Sequence, residues 1–235
     1  MMTSTPPPRL PLFLHRHARA GKLTAWIVLV AGASLANLAH ADRVAGATIA
    51  RQGAEGITAC MACHGAQGEG QAAAGFPRLA GQGQPYLLKQ LRDFASGQRK
   101  NPQMEPIARA LSAQQMRDVS EHYASLPGWK AEAKPAADAQ PARGARLAMA
   151  GNWDAGIPAC FACHGPDGAG IPPHFPALTG QPNAYTRAQL KAWQAGTRGN
   201  DPQGLMKSVA DKMSDAEIDA ISEYLEAPSF YGRRE

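Results

Sequence analysis

The chain has 235 residues, with 24 basic and 19 acidic side chains, a formal charge of +5 and four cysteines. Four of the basic residues and none of the acidic ones lie in residues 1–41, so residues 42–235 carry a formal charge of only +1. The excess positive charge therefore belongs to the N-terminal segment, and it is no argument for binding nucleic acid.

Residues 1–41 have the composition of a secretory signal peptide. Four basic side chains precede an apolar run over residues 23–38, which ends in Ala-His-Ala at 39–41. A basic start, an apolar middle and an A-x-A cleavage site describe such a leader, so we predict export to the periplasm with Asp42 as the first mature residue. An uncleaved membrane anchor is the alternative, because the apolar run is close to the length that spans a membrane.

One five-residue motif then occurs twice, as Cys60-Met61-Ala62-Cys63-His64 and, one hundred residues later, as Cys160-Phe161-Ala162-Cys163-His164. The pattern C-x-x-C-H is typical of c-type haem attachment. Each of two thiols three positions apart can join one vinyl group of a porphyrin, and the adjacent histidine can ligate the iron. We therefore predict two covalently bound haem c groups, with thioethers from Cys60, Cys63, Cys160 and Cys163 and iron ligands from His64 and His164.

Three other roles for paired cysteines fit the sequence less well. A zinc site would place its two C-x-x-C pairs about 15–20 residues apart, whereas these pairs are one hundred residues apart. A thioredoxin-like redox pair would need a strand-rich βαβ context, which is missing. Disulfides suit an exported protein, but they do not explain a histidine after each pair.

Residues 42–235 contain the same sequence unit twice, which indicates two domains of one fold. We predict the first domain over residues 42–127 and the second over 143–235, joined by a linker rich in Ala and Pro over 128–142. Each domain is small for a core of its own, and a bound haem would supply much of the missing apolar volume. The matching segments are Gly46-x-x-Ile49-Ala50 with Gly144-x-x-Leu147-Ala148, Phe76-Pro77-x-Leu79-x-Gly81-Gln82 with Phe175-Pro176-x-Leu178-x-Gly180-Gln181, Gly97-x-Arg99-x-Asn101 with Gly196-x-Arg198-x-Asn200, and Met104-x-x-Ile107-Ala108 with Met206-x-x-Val209-Ala210.

Helical signals recur in both domains, and no stretch shows the sustained period-two alternation of a strand. Ser112-x-x-Gln115 and Ser214-x-x-Glu217 predict capping boxes at the start of the last helix of each domain. The Gly- and Pro-rich segments 65–85 and 165–183 are predicted to be loops that wrap the haem. The sequence therefore predicts an all-α fold of two tandem domains.

A haem with one histidine ligand needs a sixth ligand or has an open face, and methionine in that place raises the reduction potential. Met104 and Met206 occupy equivalent positions in the two repeats, 40 and 42 residues after their histidines. We predict these two methionines as the sixth ligands. The other candidates are predicted to be packing or surface residues: Met61, Met116, Met149, Met213, His122 and His174.

Each domain resembles a class I cytochrome c, and the tandem arrangement resembles the dihaem cytochrome c4 family. The resemblance covers nearly all of residues 44–227 and depends on the C-x-x-C-H motifs, the Phe-Pro-x-Leu-x-Gly-Gln segments and the repeated methionines. It implies that the carbonyl groups of Pro77 and Pro176 accept hydrogen bonds from the ligand histidines and so orient the imidazole rings. It also implies periplasmic electron transfer to respiratory oxidases or reductases.

We therefore predict a dihaem electron carrier that moves one electron per haem between respiratory donors and a terminal oxidase or reductase, and that is not an enzyme. Its partners would be redox proteins in the periplasm or the membrane, and peripheral association with a membrane fits this role. One alternative is a cytochrome subunit of a membrane-associated dehydrogenase. Another is a dihaem enzyme, a peroxidase or a thiosulfate-oxidising cytochrome, which would need one iron without methionine.

Overall fold

The computed structural model describes residues 40–129 and 143–227, and in this part of the chain it contains helices and isolated bridges but no β-strand. The predicted all-α fold is confirmed. Nearly all of the predicted leader and most of the predicted linker lie outside the described residues. The first half contains α1 (Arg43–Gln52), α2 (Met61–His64), α3 (Gln84–Ser96), α4 (Met104–Ala110) and α5 (Ala113–Ser125). The second half contains α6 (Arg143–Met149), α7 (Cys160–His164), α8 (Asn183–Gln194), α9 (Leu205–Ala210) and α10 (Asp215–Glu226).

Both predicted capping boxes are present at the last helix of each half. The Ser112 hydroxyl accepts from the backbone N–H of Gln115 at 3.2 Å, and the Gln115 side chain accepts from the Ser112 N–H at 2.8 Å. Ser214 and Glu217 make the same pair of bonds at 3.3 and 2.9 Å. These bonds satisfy N–H groups that have no partner within the helix, which fixes where α5 and α10 begin.

Two glycines at equivalent positions allow the first and last helices of each half to cross closely. A Cβ atom at Gly46 in α1 would lie 2.1 Å from the carbonyl oxygen of Asp118 in α5. A Cβ atom at Gly144 in α6 would lie 2.1 Å from the carbonyl oxygen of Ala220 in α10. Because both obstacles are backbone atoms that cannot rotate away, only glycine fits at these crossings.

Each half has its own apolar core beside the crossing helices. In the first half the core includes Ile49, Ile57, Leu111, Met116 and Val119. In the second half it includes Leu147, Ile157, Trp193, Ile218, Ile221 and Leu225. Several of these side chains, such as Val119 and Ile221, also line a large internal cavity. The two cores therefore shape the walls of a shared interior space.

The two halves meet through residues at equivalent positions of the repeat. The backbones of Arg99 and Arg198 form an isolated antiparallel bridge across the contact. Polar side chains are buried there too, among them Gln82 and Gln181, which are 2% and 6% exposed. No helix within the described ranges is long and apolar enough to cross a membrane.

Candidate metal centres

All ten residues predicted for the two haem sites line one continuous cavity. Its volume is about 1260 Å³, which exceeds the roughly 300–1,000 Å³ of a typical pocket for one ligand. Most of the surrounding side chains are apolar or aromatic, as a porphyrin requires. The ten residues are Cys60, Cys63, His64, Pro77, Met104, Cys160, Cys163, His164, Pro176 and Met206.

A single helical turn brings each histidine beside its two thiols. In α2 the backbone N–H of His64 donates to the carbonyl of Cys60 at 2.9 Å. Residues three and four positions apart lie on the same face of a helix, so Cys60, Cys63 and His64 all reach the cavity. The five residues of α7 repeat this arrangement in the second half.

Both histidines are buried and hold one defined tautomer. Nδ1 of His64 lies 2.9 Å from the carbonyl oxygen of Pro77, and Nδ1 of His164 lies 2.8 Å from that of Pro176. A carbonyl oxygen can only accept, so Nδ1 carries the proton in each ring and Nε2 keeps a free lone pair. Burial lowers the pKa of both histidines, although the bonds to the proline carbonyls act in the opposite direction. Each imidazole is therefore neutral, as a metal ligand must be.

The four cysteines are free of disulfide bonds. Burial raises the pKa of the Cys60 thiol, and it raises that of Cys160 to about 11. Reactive thiols of disulfide oxidoreductases need the opposite shift, a lowered pKa. Across the described part of the chain, no group of three or more His, Cys, Asp or Glu side chains is arranged to hold a metal ion.

The two methionines predicted as ligands lie at the beginning of equivalent short helices. Met104 is the first residue of α4, and its backbone N–H donates to Asn101 Oδ1 at 2.9 Å. Met206 is the second residue of α9, where the N–H of the next residue, Lys207, donates to Asp201 Oδ2 at 3.1 Å. Both methionine side chains are half-buried and line the cavity. A side-chain oxygen from the preceding loop thus accepts from the first turn of each helix, next to the methionine.

The longer loop before Met206 changes which side chain accepts from the first turn of the helix. The extra residues form a 3-10 helix, Pro202–Gly204, in which Gln203 adopts a φ of 58°. Asn200 matches Asn101 in the sequence repeat, but its side-chain amide donates instead to Gln90 Oε1 in the other half at 2.9 Å. Asn101 and Asn200 are therefore matched in the sequence repeat but have different hydrogen-bond partners, and Asp201 is the residue that accepts from the first turn of α9.

The other methionines and histidines have different surroundings. Met116 and Met213 belong to the buried cores, although Met213 also reaches the cavity wall, and Met149 is 45% exposed. His122 is buried with its ring centroid 5.1 Å from that of Tyr123. His174 is exposed at the cavity rim.

Two buried guanidinium groups, those of Arg99 and Arg198, also line the cavity, at the contact between the halves. Each is 6% exposed and lies over an aromatic ring of its own half. Cζ of Arg99 is 4.6 Å from the Phe94 centroid, and Cζ of Arg198 is 4.0 Å from the Trp193 centroid. These cation–π contacts hold the two positive charges at equivalent places beside the cavity.

The hydrogen bonds of these guanidinium groups go to neutral oxygen atoms. Arg99 donates to Gln90, Gln189 and Tyr185 at 2.8–2.9 Å, and Arg198 donates to Gln189 at 2.8 Å. Neither forms an ion pair with a carboxylate among residues 40–129 and 143–227. Burial acts to raise the pKa of Tyr185, but the two guanidinium groups lower it overall. The buried carboxylate of Asp93 also acts on Arg99, but it is paired with Lys89. The propionate carboxylates of a haem would supply further anions for this positive region.

A third buried cation, Arg78, lies next to Pro77 at the same contact. One of its terminal nitrogens donates to the carbonyl of Thr179 in the other half at 2.7 Å, and the other donates to the carbonyl of Ala80. Its Nε has no partner among the described residues. Burial without a counter-ion lowers the pKa of Arg78 to about 10.

Sequence reasoning did not predict which residues form the contact between the halves. Arg99, Arg198, Gln82 and Gln181 all belong to segments that the repeat comparison matched, yet nothing in the pattern shows that the two copies face each other. The only hint in the sequence was that an arginine, and a glutamine that follows a glycine, each recur at the same position of both repeats. Their partners lie about one hundred residues away in the chain.

Two cavity-lining thiol pairs, each beside a buried neutral imidazole and within an all-α domain, define a cytochrome with covalently attached haem. The family model of cytochrome c matches residues 44–127 and 141–228, and the chain belongs to this family. With two such domains in tandem, the protein carries two covalent haem c groups and is a cytochrome c4-like dihaem electron carrier.

Two curated relatives are similar over most of this chain. A thiosulfate dehydrogenase electron acceptor of Stutzerimonas stutzeri (strain A1501) is 51% identical over 71% of this chain and 77% of its own length. A protein of the same description from Thiomonas intermedia (strain K12) is 49% identical over 72% and 77%.

Two solved structures are also similar. Reduced recombinant cytochrome c4 from Pseudomonas stutzeri has a TM-score of 0.69 and 37% identity, covering 80% of this chain and 99% of its own. A thiosulfate dehydrogenase from Marichromatium purpuratum has a TM-score of 0.71 and 41% identity. The match covers 78% of this chain but only 39% of that larger chain.

Proposed function

We propose that the protein accepts electrons from a thiosulfate dehydrogenase in the periplasm and passes them, one per haem, to a respiratory oxidase or reductase. The observation that carries the proposal is the double set of residues around the cavity. Each half supplies two thiols, a neutral imidazole and a methionine at equivalent positions. With a histidine and a methionine as ligands, neither iron would be open to a small substrate, and this is the arrangement of a carrier.

The choice of donor is supported by the relatives. The two described as electron acceptors of thiosulfate dehydrogenase are 49% and 51% identical to this chain, whereas relatives described as cytochrome c4 are 37–41% identical. We assign the oxidation of thiosulfate to the donor enzyme and only electron transfer to this chain, because each half places a methionine on the cavity wall where it can ligate an iron. We therefore do not adopt the hypothesis that the chain is a dihaem enzyme. In the hypothesis of a cytochrome subunit of a dehydrogenase, we propose thiosulfate dehydrogenase as the enzyme.

The residues of the chain have distinct roles in this proposal. When bound, each haem iron takes up and releases one electron. Cys60, Cys63, Cys160 and Cys163 would hold the two groups covalently, and His64, His164, Met104 and Met206 would ligate the irons. The apolar wall excludes water, and this low-polarity surrounding limits the reorganisation that accompanies each change of charge.

Thiosulfate should reduce both haems of the oxidised protein only when a purified thiosulfate dehydrogenase is also present in catalytic amount. The measurement is the rise of the reduced-haem absorption bands with time. Thiosulfate alone and the enzyme alone are the controls, and both should leave the protein oxidised. Reduction by thiosulfate alone would mean that this chain is itself the enzyme. No reduction in the complete mixture would overturn the proposed donor.

Export is also part of the proposal, and one contact at the start of α1 supports it. The backbone nitrogen of Asp42 lies 2.7 Å from Oδ1 of the buried Asp118. Cleavage after Ala41 would turn this nitrogen into an ammonium group and the hydrogen bond into a partly buried, charge-assisted one, which is stronger. We expect the intact mass of the exported protein to equal residues 42–235 plus two haems. Retention of residues 1–41 in the membrane fraction would contradict cleavage.

A further inference from the structure

One peptide group beside each predicted iron ligand is hydrogen-bonded on both sides. The oxygen of the Pro77–Arg78 peptide accepts from His64 Nδ1 at 2.9 Å, and the nitrogen of the same peptide donates to Gln181 Oε1 at 3.1 Å. Gln181 belongs to the other half of the molecule. An unbroken chain of hydrogen bonds therefore runs from the imidazole of the first half to a side chain of the second.

The second half contains the same arrangement in reverse. The oxygen of the Pro176–Ala177 peptide accepts from His164 Nδ1 at 2.8 Å, and its nitrogen donates to Oε1 of Gln82 in the first half at 3.0 Å. Gln82 and Gln181 are equivalent residues of the repeat, so the two chains of bonds are related by the pseudo-two-fold symmetry of the contact. A hydrogen-bond arrangement that occurs in both halves and links each half to the other is a regular feature of this fold, not an incidental contact.

Each glutamine is held in one orientation by a second bond. Gln181 Nε2 donates to the carbonyl of Arg78 at 2.9 Å, and Gln82 Nε2 donates to the carbonyl of Ala177 at 2.8 Å. A flipped amide would lose both bonds, so the oxygen must face the peptide N–H. Both glutamines are almost fully buried, and water does not compete for these bonds.

We propose that Gln181 and Gln82 are positioning residues that tune the iron of the opposite half through these peptide groups. An acceptor on a peptide N–H polarises the peptide and makes its carbonyl a stronger acceptor. The stronger bond to Nδ1–H gives the imidazole more imidazolate character, and this favours oxidised iron. Gln181 thus lowers the reduction potential of the N-terminal haem, and Gln82 lowers that of the C-terminal haem.

The proposal rests on His64 and His164 as iron ligands, but it does not depend on which protein donates the electrons. It predicts that each glutamine affects the haem of the opposite half, an effect that a purely structural role would not produce. Residues that only hold the halves together would affect both haems alike when removed. Residues that act through the peptide groups would each affect the haem of the other half.

The test replaces each glutamine by methionine in the full-length holoprotein, which keeps the side-chain length and removes both polar atoms. In Gln181→Met the redox equilibrium of the N-terminal haem should shift threefold to tenfold toward the reduced form, about 30–60 mV for one electron. The C-terminal haem should shift by less than a third of that. Gln82→Met should give the reverse pattern. The measurement is spectroelectrochemical titration, with each haem assigned by NMR.

A second readout follows the hydrogen bond itself. In the reduced protein the Nδ1 proton resonance of His64 should move upfield in Gln181→Met, while that of His164 stays in place. Gln181→Glu is the rescue variant, because it keeps an oxygen acceptor for the Arg78 N–H in either protonation state. In Gln181→Glu the potential of the N-terminal haem should therefore not rise.

Gln90→Met is the matched control at the same contact. Gln90 bonds to Arg99 and Asn200 but touches neither proline peptide, so its replacement should not shift one haem selectively. The proposal is overturned if Gln181→Met changes the C-terminal haem more than the N-terminal haem. It is equally overturned if both haems shift together or neither shifts, or if Gln181→Glu behaves like Gln181→Met.

Discussion

A chain with Cys160→Ala and Cys163→Ala is expected to carry one haem instead of two and to lose the cooperative fold of its second half. Without thioethers the haem of that half has only its axial ligands to hold it. The core residues Leu190, Trp193 and Ile221 face the cavity, so they would lose their packing partner. At about 24 cal/mol per Å³ of unfilled space, half of the cavity would cost on the order of 10 kcal/mol. That cost is comparable to the whole stability of a typical domain.

Haem staining on denaturing gels, intact mass and thermal unfolding followed by circular dichroism measure these effects. The mirror variant, Cys60→Ala with Cys63→Ala, should retain only the C-terminal haem. Ala162→Ser, a change at an exposed position between the two cysteines, is the control and should keep both haems. Retention of two covalent haems in either double variant, or a colourless wild-type protein that contains zinc, would refute the attachment sites.

The second large effect concerns the methionines. Met206→Ala should open the iron of the second half, lower its reduction potential and allow it to bind carbon monoxide. The thioether of methionine is a soft, weak donor that stabilises reduced iron more than oxidised iron. Its loss should move the potential by a substantial part of the roughly 0.8 V range that axial ligands span. Met104→Ala should do the same to the first half only.

Two other methionines provide controls for this experiment. Met116 is buried in the core of the first half, and Met149 is 45% exposed. Met116→Leu and Met149→Leu should leave both potentials unchanged and should not create carbon monoxide binding. If Met206→Ala leaves the potential of its haem unchanged, another residue is the ligand, and Met213, which also reaches the cavity wall, is the next candidate.

The sequence predicted the features that depend on short-range patterns. The motif of Cys60, Cys63 and His64 occupies a helical turn, so its spacing alone brings the three side chains together. The capping boxes at Ser112 and Ser214 are equally local, because both partners lie within one turn. Because the second half repeats the sequence pattern of the first, each prediction for one half also applied to the other. The all-α fold was predicted from the helical signals in both halves.

Features that depend on how the halves meet could not be predicted in this way. The contact between Gln181 and the Pro77–Arg78 peptide joins residues 103 positions apart, and no local spacing encodes it. The repeat also does not show that Asn200 lies at the contact, or that Asp201 accepts from the first turn of the helix of Met206. The loop before Met206 is longer than the loop before Met104, and only the folded chain shows which of its side chains bonds to the helix.

The absorption band that methionine–iron coordination gives to oxidised haem, at the red end of the spectrum, tests the central claim most directly. The claim is that both irons have a histidine and a methionine, so the protein is a carrier with no open site. The wild-type protein should show twice the band intensity per chain of Met104→Ala or Met206→Ala, and it should bind carbon monoxide poorly when reduced. A wild-type band no more intense than that of one methionine–iron pair per chain, with ready carbon monoxide binding at one haem, would contradict the account and favour an enzyme.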